Sequence, residues 1–183
     1  MLEERITYFE ERGESNTAHV FDIVDRALVQ TGSRKIVLAS TTGTTARHAL
    51  ERHHGRDDVR LIIVPHQYGF SATGQRFPAE LVARAESEGH AVLFTTMLFH
   101  TDRLFGSGAP QVAANFLRFF CEGVKVGVEI TLMAGNAGLV DPGEPIIAVA
   151  GTHRGADTAL ALTGATSMDP QQLRISRILC KPF

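Results

Sequence analysis

Short, uninterrupted apolar runs alternate along this chain with amphipathic segments, the order that builds a mostly parallel sheet covered on both faces. Residues 36–39, 61–64, 91–94 and 146–150 are runs of four or five apolar residues bounded by polar or glycine-bearing turns, which predicts buried strands. Between them, Val20, Ile23, Val24, Ala27 and Leu28 recur at helical spacing from a start at Asn16 or Thr17 to a stop at Gly32. Residues 44–53 predict a second helix, and residues 79–88 a third with Leu81, Val82 and Ala85 facing inward.

The second half of the chain continues the pattern. Val112, Phe116, Phe119 and Phe120 make residues 111–120 an amphipathic helix, with a face that either covers the sheet or meets a partner subunit, as in a homodimer. The helix predicted at 124–139 is denied bulk by Gly127, Ala134, Gly135 and Gly138, with Gly123 just before it. An interior glycine costs up to ~1 kcal/mol of helix propensity, so close packing or a bound ligand has to compensate. Residues 158–162 follow the strand at 146–150 too closely for a crossover helix, which predicts an antiparallel neighbour. Residues 173–179 alternate polar and apolar positions like a half-exposed edge strand, and residues 6–9 predict another short edge strand. Together these elements predict an α/β, doubly wound three-layer sandwich over residues 1–183 as one domain, its sheet mostly parallel with an antiparallel edge strand.

Composition narrows the function classes. Eighteen basic and twenty acidic residues are intermixed, giving a net charge of -2 without a basic block, which argues against nucleic-acid binding. No apolar run approaches the ~20 residues that cross a bilayer, and the acidic start lacks the order of a secretory signal, so a cytoplasmic protein without membrane association is expected. The two cysteines are too few for a disulfide framework; Cys121, in the phenylalanine-rich segment, is expected as a small buried hydrophobe. The eight histidines show no zinc-ligand spacing, and no metal is expected.

Chemistry concentrates where apolar runs end. Ser40, Thr41, Thr42, Thr44 and Thr45 surround Gly43 between a strand and a helix, where free first-turn amides and the helix dipole favour an anion. The stretch lacks both G-x-G-x-x-G and Gly-Lys-Ser/Thr, so a single phosphate fits better than a dinucleotide or P-loop nucleotide, unless Ser40 merely caps the helix and the other hydroxyls serve local backbone. Loop 66–78 begins beyond a strand end, where active-site loops of open sheets lie. Loop 151–157 offers Arg154 for bidentate pairing with an anion and Asp157 as an acceptor for hydroxyls, or the two pair with each other. Lys125 and Glu129 share a helix face, with Glu122 a turn earlier, and either anchor a polar ligand or form an intrahelical ion pair. His66, His100 and His153 follow three different strands, where convergence would make them candidate proton-transfer groups.

Six stretches extend these signals: ESNT at 14–17, STTGTTA at 40–46, GF at 69–70, GVKVGVE at 123–129, MAGNAG at 133–138 and AVAGTHRGADTA at 148–159. In them the chain resembles the stand-alone proteins similar to the C-terminal alpha/beta domain of pyruvate kinase. That resemblance implies a doubly wound fold with a parallel core, and some members look like flavin mononucleotide (FMN) binders. It turns the anion turn into a flavin-phosphate cradle, and implies cofactor-binding candidates at Ser40, Thr41, Thr42, Gly43, Thr44, Thr45, His66, Gly69, Phe70, Lys125, Glu129, Gly151, Thr152, Arg154, Gly155 and Asp157. Asn136 stands where relatives commonly carry aspartate, which removes a charge and adds donors. The barrel domain that performs phosphoryl transfer in pyruvate kinase has no counterpart in these residues, so that activity is not expected. The expected partner is FMN or another small phosphorylated ligand. The expected roles are a flavoprotein of possible redox function, a non-enzymatic phosphometabolite sensor, or a phosphometabolite-processing enzyme.

Overall fold

The computed structural model describes residues 1 and 3–183. In chain order its elements are β1 (Thr7–Phe9), α1 (Thr17–Thr31), β2 (Lys35–Ala39), α2 (Thr44–Arg52), β3 (Arg60–Val64), α3 (Ala79–Ser87), β4 (Ala91–Val92), α4 (Asp102–Phe105), α5 (Ala109–Arg118), α6 (Glu122–Asn136), β5 (Pro145–Ala150), β6 (Thr158–Thr163) and β7 (Ile175–Pro182). The strands form one sheet in the order β1-β7-β6-β5-β2-β3-β4.

Side-chain alternation sorts the central strands between two helical layers. Ile36, Leu38, Leu61, Ile63, Ile147 and Val149 point to one face, where they pack with Val20, Phe21 and Val24 of α1, Ala49 and Leu50 of α2, and Leu81 and Ala85 of α3. Val37, Ile62, Ile146, Ala148 and Leu160 point to the other face and meet Val124, Ile130, Met133 and Ala134 of α6. Both faces of the central strands are thereby dry, which is why their sequences read as continuous apolar runs.

Neither the antiparallel strand expected at an edge nor the strand that alternation placed at one, residues 173–179, lies at the edge of the sheet. β6 lies inside the sheet and runs antiparallel to both β5 and β7. β7 then pairs in parallel with β1, which forms the edge. The pairings of β2 with β3 and β5, and of β3 with β4, are also parallel. β4 is shorter than its apolar run, ending at Val92, although the Leu93 amide still donates to the Ile63 carbonyl at 2.8 Å. No helix among the described residues is long and apolar enough to cross a membrane.

Close packing accounts for the glycines of α6. A Cβ on Gly123 would lie 2.1 Å from the Thr158 hydroxyl, one on Gly127 2.9 Å from Leu160, and one on Gly135 1.9 Å from the backbone carbonyl oxygen of Ala165. These contacts let the helix descend onto β6 and the segment after it. They carry Lys125 and Glu129, despite their charge, into a nearly dry position beside the sheet.

Candidate ligand-binding site

The chain runs from β2 outward to β3 and β4 on one side, then returns to add β5, β6 and β7 on the other. The carboxyl ends of β2 and β5 flank this reversal, the place where open α/β sheets leave a crevice. A cavity of about 1060 Å³ opens there, reached by the turn after β2, the loop after β3, the loop after β5 and one face of α6. This volume is at the upper end of the ~300–1,000 Å³ of small-molecule sites.

The turn after β2 divides its hydroxyls between two tasks. Thr41 and Thr42 line the cavity, and Thr42 and Thr44 have hydroxyls 3.5 Å apart. Ser40 instead accepts a hydrogen bond from the Ala46 amide at 3.1 Å and so satisfies one first-turn donor of α2. Thr45 is buried. Gly43 turns with φ 90°, and a Cβ there would strike Leu81 at 2.6 Å, so it fits the turn against α3. The amides of Thr44 and Thr45, at the start of α2, have no intrahelical acceptor. The local-capping alternative therefore holds for Ser40, while Thr41 and Thr42 are free to face a ligand.

The loop after β5 is braced from below. Asp157, fully buried, accepts hydrogen bonds from the amides of Gly13 at 2.9 Å and Thr152 at 3.0 Å and from the Thr158 hydroxyl at 2.8 Å. Its carboxylate is spent on the fold; it pairs with backbone and hydroxyl donors in place of Arg154. The Thr17 hydroxyl accepts from the Ala156 amide at 3.0 Å, and Gly155 packs against Glu14 so tightly that a Cβ would lie 2.3 Å from its Cα. The ESNT stretch thus acts as the seat of this loop. Seated this way, Gly151, Thr152, His153, Arg154 and Gly155 all line the cavity. His153 adopts φ 65°, an uncommon conformation for a residue with a side chain.

The α6 wall is a buried polar cluster. Lys125 Nζ donates to Glu129 Oε2 at 2.6 Å, with both side chains 2% exposed. The other carboxylate oxygen accepts from the Phe99 amide at 2.8 Å and from His100 Nδ1 at 3.3 Å. Burial pushes the Glu129 carboxyl up, but these donors outweigh it and hold the group below its usual range. His66 packs at 4.3 Å against Phe70 with the rings tilted by 57°, and Phe70 meets His100 edge-on at 5.5 Å. Burial, aided by the charges of His100 and Arg76, lowers the His66 pKa. All three histidines that follow strands therefore converge on one cavity.

Of the remaining candidates, Gly69 provides a left-handed turn with φ 77° and does not line the cavity, whereas its neighbour Phe70 does. Asn136 is remote, its Oδ1 accepting from the Ser167 amide at 2.8 Å. Cys121 is half-buried on the cavity wall, and its Sγ accepts from the Val124 amide at 3.4 Å as the cap of α6. Sequence reasoning missed Arg12, Arg76, Met97 and Phe119, which also line the cavity. They arrive from four separate segments, and no local spacing marks them. Among the described residues, Arg12, Arg76 and Arg154, all exposed, line the cavity and make no ion pair. A scan against models of known protein families finds no match for this chain.

Proposed function

We propose that this chain is an FMN-binding α/β protein of the kind resembling the pyruvate kinase C-terminal domain. The observation that carries the reading is the two-sided character of one cavity. Its polar side includes Thr41, Thr42 and Arg154, with the free first-turn amides of α2 beginning two residues beyond Thr42; its apolar side includes Val64, Phe70, Met97 and Phe119. A phosphate joined to a flat aromatic ring system needs both sides, and the donor set suits it.

In this reading Thr41, Thr42 and the Thr44 and Thr45 amides hold the phosphate, with Arg154 closing over it. Phe70 and Met97 offer surface to the ring, while Lys125, Glu129, His66 and His100 supply polar contacts along its edge. Bound flavin supplies one- or two-electron transfer. The buried Lys125-Glu129 pair fixes the direction of the ammonium and leaves His66, held neutral by burial, as a proton acceptor at neutral pH.

The unpaired Arg12 and Arg76 favour a second reading, a sensor of a multiply charged phosphometabolite. Native mass spectrometry and visible absorption of freshly purified protein separate the two. FMN adduct mass with a flavin spectrum is the expected result. Failure to bind FMN after reconstitution, together with thermal stabilisation by sugar phosphates, would replace the first reading with the second.

A further inference from the structure

The rim of the cavity continues into an apolar face that the fold leaves uncovered. Val112, Phe116, Phe119 and Phe120 follow at helical spacings of four, three and one along α5 and its end, and are 52%, 60%, 79% and 56% exposed. α5 docks through its other side, where Ala114 is buried and Leu117 packs against the α6 core. Just upstream, Leu104 and Phe105 of α4 are 73% and 82% exposed. An amphipathic helix with its apolar stripe turned outward is the reverse of a surface helix in a finished globule.

We infer that this face is a self-association surface, on which a second copy of the chain sits and walls the mouth of the cavity. Two observations select that occupant. The first is area: at roughly 200 Å² per phenylalanine and somewhat less for leucine and valine, the four side chains of α5 and its end leave roughly 470 Å² exposed, and Leu104 and Phe105 of the preceding α4 add roughly 290 Å². The α5 stripe alone is as large as the ~300–600 Å² of the largest patch on a typical monomer, and with α4 the apolar surface on offer approaches the ~800 Å² that each partner contributes to a stable complex. The second is charge: within α4, α5 and the start of α6, Asp102 and Glu122 balance Arg103 and Arg118, with Arg118 and Glu122 already paired at 2.7 Å, while Arg12, Arg76, Arg154 and Lys181 line the cavity that the patch borders. A two-fold interface sets a surface against itself, which a balanced apolar face tolerates and a one-signed face does not.

The pairing has a consequence for the site. Phe119 and Phe120 belong both to this face and to the cavity lining, so a copy seated on α5 removes the open side of the cavity from water.

Analytical ultracentrifugation tests the surface without any ligand. The full chain at about 50 μM should sediment at twice its 19.9 kDa mass, as a micromolar or tighter dimer does. Phe105→Glu/Phe116→Glu changes two exposed residues outside the cavity wall. It should weaken self-association at least about 100-fold while leaving circular dichroism and thermal melting unchanged. A wild-type monomer at that concentration overturns the proposal, whether or not the protein binds phosphatidylserine vesicles. So does a dimer that survives the double substitution. An aggregated double variant is replaced by Val112→Lys/Phe116→Lys, whose persistence as a dimer overturns the proposal equally. The mass readout does not depend on FMN, so the flavin reading and this one fail separately.

Discussion

Replacing Lys125 by methionine keeps the stem of the side chain and deletes the ammonium that lies 2.6 Å from Glu129. Both partners are 2% exposed, so the carboxylate left behind stays largely shielded from water. Breaking a buried ion pair by removing one partner costs ~3–5 kcal/mol. Here Glu129 retains the Phe99 amide at 2.8 Å and His100 Nδ1 at 3.3 Å, which places Lys125→Met near the lower figure, ~3 kcal/mol. For a chain of this size that lowers the melting temperature by roughly 6–12 °C. Urea unfolding at pH 7.5 and 5.5 supplies the sign. Without the lysine, burial raises the folded-state pKa of Glu129 relative to the wild-type protein, so the deficit should narrow as acidification supplies the missing proton. Lys125→Met/Glu129→Gln, which removes both charges and keeps a side-chain oxygen for the Phe99 amide, should recover most of the loss. A single variant within about 0.5 kcal/mol of wild type, or a double variant no more stable than the single, would refute the claim that this pair is dry and mutually compensating.

Three further outcomes are expected. Gly135→Ala should destabilise by ~1–2 kcal/mol, because overpacking against the Ala165 carbonyl outweighs a helix-propensity gain of ~1 kcal/mol; Gly127→Ala meets only the end of Leu160 and should be near neutral in the same urea titration. Ser40→Ala should cost ~1 kcal/mol of stability through the lost cap on Ala46, whereas Thr42→Ala should leave melting unchanged and weaken retention of FMN on gel filtration. Stability should fall with acidification in two stages. His48, His66 and His90 have pKa values lowered chiefly by burial, so the unfolded chain takes up protons first as pH drops through 6.5; Glu129, also lowered, contributes a second loss below 4.5. Flat stability from pH 7 to 5 would contradict the histidine part.

The fold was legible wherever one physical constraint acted alone. The runs 36–39, 61–64 and 146–150 fall within β2, β3 and β5, because burial on both faces leaves no polar position to blur the pattern. The antiparallel direction of β6 followed from the shortness of its connection. Its interior position did not, because that depends on β7 pairing with its outer side, just as β7 loses the edge to β1 from the far end of the chain. The site divided in the same way. The turn after β2 and the loop after β5 announce themselves by composition, yet the separate duties of Ser40, Thr42 and Asp157 depend on partners more distant in sequence or on the folded path of the turn. The four-residue helix α4 was hidden in a glycine-rich connection too short to show a period.

Asp157 ties residue 13 to residue 152 through a single carboxylate, making the start of the chain and the rim of the cavity one mechanical piece. Any displacement of the loop pulls on the clasp at Gly13, next to the segment that carries β1. By reciprocity, fraying at that edge of the sheet is coupled to whatever occupies Thr152 and Arg154. Amide exchange at Gly13 should therefore slow when the cavity fills, reporting occupancy from 139 residues away in sequence.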